Sequence, residues 1–102
     1  MAGFVCIVEV ELYFPQAGDL KAKRKQLKSI TTRLRQRFGA AVAEVDHHYL
    51  WQRAALVCVL AGRDADVRDR GDELVRWIEA FHPDGVSAGH RTLSLRDLED
   101  PP

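Results

Sequence analysis

Cations come first among the residues that could do chemistry. The stretch DLKAKRKQLKSITTRLRQRF, residues 19–38, holds Lys21, Lys23, Arg24, Lys25, Lys28, Arg33, Arg35 and Arg37, and after Asp19 it holds no acid. These are eight of the 15 lysines and arginines of a chain whose formal net charge is zero. On a helix turning about 100° per residue, Lys21, Arg24, Lys25, Lys28 and Arg35 gather on one flank. Lys23, Arg33 and Arg37 fall on the other. A ridge of cations can track a phosphate backbone, and such contacts position a protein on nucleic acid without reading its sequence. The bland alternative is a solvated helix face whose long stems cover apolar surface. The absence of intervening acids speaks against it, because exposed helices usually mix signs for i,i+4 pairing.

Smaller groups follow. In Trp51-Gln52-Arg53 an indole stands near a guanidinium where a turn enters a strand. Trp51 is expected to anchor that turn in the core; the alternative is a surface on which an unpaired base stacks, with Arg53 beside it. Asp46-His47-His48 invites a metal reading, but neighbouring strand residues point to opposite faces, and His82 and His90 stand at no recognised ligand spacing. No metal or other cofactor is expected. Glu9 and Glu11 share a face about 7 Å apart, a spacing open to acid–base work but commoner in exposed or paired glutamates. There is no phosphate loop, no GxSxG and no Cys/His motif, so no enzymatic constellation is visible.

The elements that position these residues are legible from periodicity. FVCIVEVEL, residues 4–12, alternates with Phe4, Cys6, Val8, Val10 and Leu12 on one face and Val5, Ile7, Glu9 and Glu11 on the other, the pattern of a strand. Asp19 is a natural N-cap for the basic helix and Gly39 a natural stop. Leu27, Ile30, Leu34 and Phe38 give it an apolar stripe. A weaker strand spans 40–47. WQRAALVCVLAG, apolar on both faces, reads as a central strand. Asp64 or Asp66 is expected to cap a second helix, with Val67, Gly71, Leu74, Ile78 and Phe81 as its buried stripe. A fourth, amphipathic strand spans 86–96. The order predicts a ferredoxin-like βαββαβ sandwich, an α+β fold whose four-stranded antiparallel sheet carries two helices on one face. Residues 1–96 form its single domain, and 97–102, DLEDPP, an acidic and flexible tail.

Composition bounds the rest. A chain of 102 residues, 46% hydrophobic and 29% charged, is an ordinary one-domain globular protein. The longest apolar run, 54–61, is too short to span a bilayer. MAGFVCIVEV lacks the basic n-region of a signal peptide, so the expected compartment is the cytoplasm. Cys6 and Cys58 form no CxxC and are expected as free thiols on the covered face. The opposite face would present Val5, Ile7, Glu9 and Glu11 beside Arg53, Ala55, Val57 and Val59. It has no stacking aromatic, which argues against sheet-face RNA readout. Its apolar part needs cover, and a homodimer is expected.

The residues also resemble a family. Pro15, then Leu20-Lys21-Ala22-Lys23-Arg24, Lys28-Ser29, Arg33-Leu34-Arg35-Gln36-Arg37-Phe38, Ala43-Glu44-Val45 and Trp51-Gln52-Arg53-Ala54 follow the pattern of the YlxP-like family, a bacterial domain-of-unknown-function family. One departure is Asp19, where the pattern has a serine; both cap helices. The resemblance covers essentially the whole chain and implies a ferredoxin-like fold but no activity. Genes of that family tend to lie near those for translation initiation and ribosome maturation factors. Together with the ridge, this gives the expected function: a non-enzymatic accessory protein that contacts RNA, rRNA or the small ribosomal subunit through Lys21, Arg24, Lys25, Lys28 and Arg35, with Trp51 and Arg53 as additions. The competing expectation is a dimeric protein-interaction module without nucleic-acid binding, its basic helix meeting the Asp-rich second helix of a neighbour.

Overall fold

The computed structural model describes residues 3–99. Strand β1 (Phe4–Tyr13) turns Cys6, Val8, Val10 and Leu12 fully into the core, as its alternation requires. Helix α1 (Leu20–Phe38) starts at Asp19, whose extended backbone lets its carboxylate accept the Ala22 N–H at 2.8 Å. A cap of this kind is worth about 1 kcal/mol. The helix stops at Gly39, whose φ of 63° is the left-handed conformation that favours glycine and whose N–H returns to the Arg35 carbonyl.

Strand β2 (Ala41–Asp46) is an edge strand, and β3 (Arg53–Gly62) is central, with Ala54, Leu56, Cys58 and Leu60 buried. Helix α2 (Asp64–Phe81) buries Val67, Gly71, Leu74 and Ile78. Strand β4 (Val86–Ser94) leads into a short helix, α3 (Leu95–Glu99). The sheet order β2-β3-β1-β4, antiparallel throughout, is the ferredoxin-like arrangement, with β1 and β3 in the centre. Cys6 lies opposite Leu60 and Cys58 opposite Val8, both thiols free and buried under the helices.

Four details differ from the sequence expectation. Neither Asp64 nor Asp66 caps α2; Arg63 holds the cap position without a side-chain bond. The two aspartates sit instead in the first turn, where they favour the helix dipole and pair with Arg68 and Arg70. Phe81 leaves the buried stripe and is 40% exposed, its ring stacked on Trp77 at 4.7 Å. The fourth strand ends at Ser94, because Ser94 and Asp97 exchange side-chain and backbone hydrogen bonds, both at 2.9 Å, and so cap α3. Asp97 to Glu99 thus belong to a helix, while residues 100–102 of the expected tail lie outside the described residues. Finally, the apolar stripe of α1 has a fifth member that is not apolar: Lys23. Among the described residues no helix is long and apolar enough to cross a membrane.

Candidate nucleic-acid interface

Helix α1 lays its stripe of Lys23, Leu27, Ile30, Leu34 and Phe38 on the sheet. Arg24 and Arg35 lie on the β2 side of the helix, Lys25 lines a recess on the α2 side with Phe81 and His82, and these three, with Lys21 and Lys28, are all exposed. Among the described residues none of them lies within ion-pair distance of a carboxylate. Two use backbone oxygens. Arg35 donates to the Val42 carbonyl of β2 at 3.1 Å, and Arg24 reaches the His48 carbonyl at 3.5 Å. The Arg24 and Arg35 side of the ridge therefore runs beside the β2 edge and the loop that joins β2 to β3. Five unpaired guanidinium and ammonium groups along one helix can bind several phosphates of a chain.

Lys23 departs from the expectation that placed it with Arg33 and Arg37 on the opposite flank. It is fully buried. Its ammonium donates to the His47 carbonyl at 2.7 Å and stands 3.7 Å from the Glu44 carboxylate. Burial holds its pKa below the ordinary 10.5, opposed by the Glu44 charge. The lysine is thus a tie between α1 and the β2–β3 loop. Arg33 and Arg37 do lie on the far side of the helix, with guanidinium groups over the rings of Phe81 and Phe38.

The loop accounts for the tie. His47 adopts a φ of 64°, its N–H bonded to the Asp46 carboxylate, and its carbonyl also accepts the Leu50 N–H, closing a tight turn. His47 and His48 diverge. The first faces Glu11 on the open side of the sheet at 3.7 Å, and the second faces Glu44 on the helix side at 3.6 Å. They do not converge on one ion.

The members of the Trp-Gln-Arg stretch separate as well. Trp51 is 52% exposed and does not anchor the turn in the core. That role belongs to Phe14, which is buried against His82. Gln52 provides the anchoring bonds: its carbonyl accepts the Phe14 N–H, and its side-chain amide donates to the carbonyls of Pro15 and Ala17. Arg53 sits on the open side of the sheet, over the Tyr13 ring and 3.7 Å from Glu11. It is therefore apart from the helix ridge and already engaged.

This placement of α1, loop and sheet has a counterpart in known sequences. The family model described as "Protein of unknown function (DUF503)" matches residues 5–88, from β1 to β4. The chain belongs to the DUF503 family. It is similar to "Uncharacterized protein YlxP" of Bacillus subtilis (strain 168), with 38% identity over 82 residues that cover 79% of this chain and 86% of that protein. Among solved structures it is similar to the de novo designed protein Foldit4, with a TM-score of 0.54 and 13% identity over 90% of this chain and 97% of that one. At such identity the likeness concerns the fold alone.

The open sheet face of this DUF503 chain carries a shallow groove of about 500 Å³ along β1 and β4, lined by Ile7, Glu9, Glu11 and Arg91 among others. Val5, Ile7, Val57 and Val59 are half-buried on that face and Glu9 is exposed. Of the central-strand aromatics only Tyr13 reaches it, at the loop end under Arg53. On the covered face, burial pushes the Cys58 thiol up to about 11 against the pull of Arg35, and burial likewise raises Cys6. Both cysteines are packed as small apolar side chains.

Proposed function

We propose that this DUF503 protein is a non-enzymatic, cytoplasmic accessory protein that associates with RNA or the small ribosomal subunit, its α1 flank lying along the phosphates. The observation that carries this reading is the combination of exposure and missing counter-charge at Lys21, Arg24, Lys25, Lys28 and Arg35. Desolvating an unpaired surface cation against a phosphate releases counterions, and that release drives binding. The competing protein-module reading asks the basic helix to meet the acidic α2 of a neighbour. Three of the α2 acids are occupied within the chain, since Asp64 pairs with Arg68, Asp66 with Arg70 and Asp72 with His90. The favourable surface for that encounter is therefore smaller than the sequence suggests.

The test is co-sedimentation with small ribosomal subunits across a salt series. Binding should weaken steeply as salt rises. Changing Lys21, Arg24, Lys25 and Lys28 together to Ala should weaken it and flatten the log–log salt slope by about 3, at roughly 0.7 per single-strand phosphate. Unchanged affinity in that variant would sink the ridge. We also propose a homodimer in which two open sheet faces stack, covering Val5, Ile7, Val57 and Val59. A single 11.5 kDa species in sedimentation equilibrium at high concentration would remove the dimer and leave the ridge untouched.

A further inference from the structure

The strongest exposed apolar feature is the tip of the β2–β3 loop. Tyr49 is 85% exposed, Leu50 47% and Trp51 52%, three large apolar side chains in succession with little to pack on. Exposed side chains of this size usually sit on a slack loop. Here the backbone on both sides is fastened. On one side His47 takes the Leu50 N–H and the buried Lys23 ammonium, and Arg24 of the ridge reaches the His48 carbonyl. On the other, Gln52 holds Phe14, Pro15 and Ala17 through three hydrogen bonds. The rings are presented on a fixed frame, so little conformational entropy is lost when something stacks on them.

The surroundings select the occupant. A shallow recess of about 380 Å³ is lined by Tyr49, Leu50, Trp51, Gln52 and Arg53. Arg53, at one side of it, is engaged by Glu11 at 3.7 Å, so the uncompensated cation is Arg24, whose guanidinium contacts the loop backbone and brings the ridge to the other side. A ligand that is flat and apolar at its centre and anionic around it fits this arrangement. A nucleotide with its base unstacked has that chemistry, whereas an apolar protein segment would leave Arg24 without counter-charge. The bases of an A-form duplex are stacked and paired, so they offer no ring face to the tip.

We infer that the Tyr49–Trp51 tip is a stacking platform for unpaired bases, so that the nucleic acid held by this protein is single-stranded RNA whose phosphates run on to the α1 ridge. This rests on the phosphate-binding reading of that ridge. The platform has its own sequence-tolerant chemistry, because every base has a ring face.

Fluorescence anisotropy with three probes tests it: a short labelled oligoadenylate, the same strand annealed to its complement, and inorganic polyphosphate as a chain of phosphates without bases. The wild type should prefer the single strand to the other two, and its tryptophan emission should be quenched on binding. Tyr49→Ala and Trp51→Ala should each weaken oligoadenylate binding by about tenfold, the scale of one base stacked on one aromatic. Tyr49→Phe should retain wild-type affinity, and polyphosphate binding should be unchanged in all three variants. Circular dichroism confirms that each is folded. If the Tyr49→Ala, Trp51→Ala double variant binds oligoadenylate as the wild type does, or if polyphosphate and oligoadenylate bind equally, the platform is overturned and the ridge stands. If the four-cation ridge variant keeps its RNA affinity while Tyr49→Ala loses it, the ridge fails and the platform survives. If the wild type binds none of the probes at low salt, both are overturned.

Discussion

Lys23 is a buried cation in a helix stripe that is otherwise Leu27, Ile30, Leu34 and Phe38, and replacing it separates two contributions. Lys23→Ala removes three buried methylenes beyond Cβ, about 2.4 kcal/mol at roughly 0.8 each. The cavity brings the loss to about 2–5 kcal/mol, the range for large-to-small core changes. Lys23→Met keeps most of the stem. It forfeits a charged hydrogen bond worth about 1.5–3 kcal/mol, but it also lifts the desolvation cost of the ammonium. These oppose each other, so the Met variant should lie within about 1–2 kcal/mol of wild type. Glu44 loses its lysine partner in this variant, which places the Met variant at the destabilised end of that range. The pH dependence gives the sign. The folded pKa lies below 10.5, so the unfolded chain binds the extra proton and the charged lysine opposes folding. That penalty is fully present below the folded pKa and is relieved as pH rises from there toward 10.5. Urea denaturation of both proteins from neutral pH to about 10.5 should show wild type gaining on Lys23→Met, and taking the difference cancels the other titrating groups. A loss under about 1 kcal/mol for Lys23→Ala, or a difference that falls with pH, would refute the burial argument.

Two further perturbations read the packing between the helices and the sheet. A Cβ on Gly71 would stand 2.7 Å from the Cys6 sulfur and 3.3 Å from the His90 ring, so Gly71→Ala should destabilise by about 1–3 kcal/mol of overpacking, measured by urea denaturation. The Cys6→Ala, Gly71→Ala double variant should recover part of that loss, and strict additivity would show that the sulfur is not the obstacle. Cys58, with its thiol pushed up to about 11, should resist alkylation at pH 8 in the folded protein and react promptly in urea. Its raised pKa adds stability that is complete below 9.0 and lost as pH climbs through about 11. Cys58→Ala should therefore flatten the alkaline fall in stability.

The architecture was legible because its signals are local. Alternation in Phe4–Leu12 and in the β3 segment, Asp19 and Gly39 at the ends of α1, and the stripe from Leu27 to Phe38 each act within a few residues, and they place the elements and both buried cysteines. What escaped depends on distant partners. Lys23 lies four residues before Leu27, in phase with the stripe, but hydropathy counts it as polar. Its acceptor is a carbonyl in a turn more than twenty residues away. The in-phase spacing, with Glu44 on the next strand, was the available signal. Trp51, expected to anchor its turn in the core, is half exposed and Phe14 is buried instead, and nothing local to either residue distinguishes them. Asp64 and Asp66 lie one and three positions inside the Arg63 cap, because carboxylates favour both the cap and the first turn of a helix. For the candidate site, periodicity gathered the five ridge cations but could not report their lack of carboxylate partners. Alternation along β3 did place Arg53 on the open face, but not its engagement there with Glu11 and the Tyr13 ring.

Arg35 has a consequence of a different kind. Strand β2 is an edge of the sheet, with alternate residues exposed. Such an edge is a template on which a second chain can add a strand and begin an aggregate. The Arg35 guanidinium bonds to the Val42 carbonyl midway along that edge and sets a fixed charge beside it, while the shift between Glu44 and Asp46 breaks its register. Both devices discourage strand addition. The basic helix therefore guards the solubility of its own sheet.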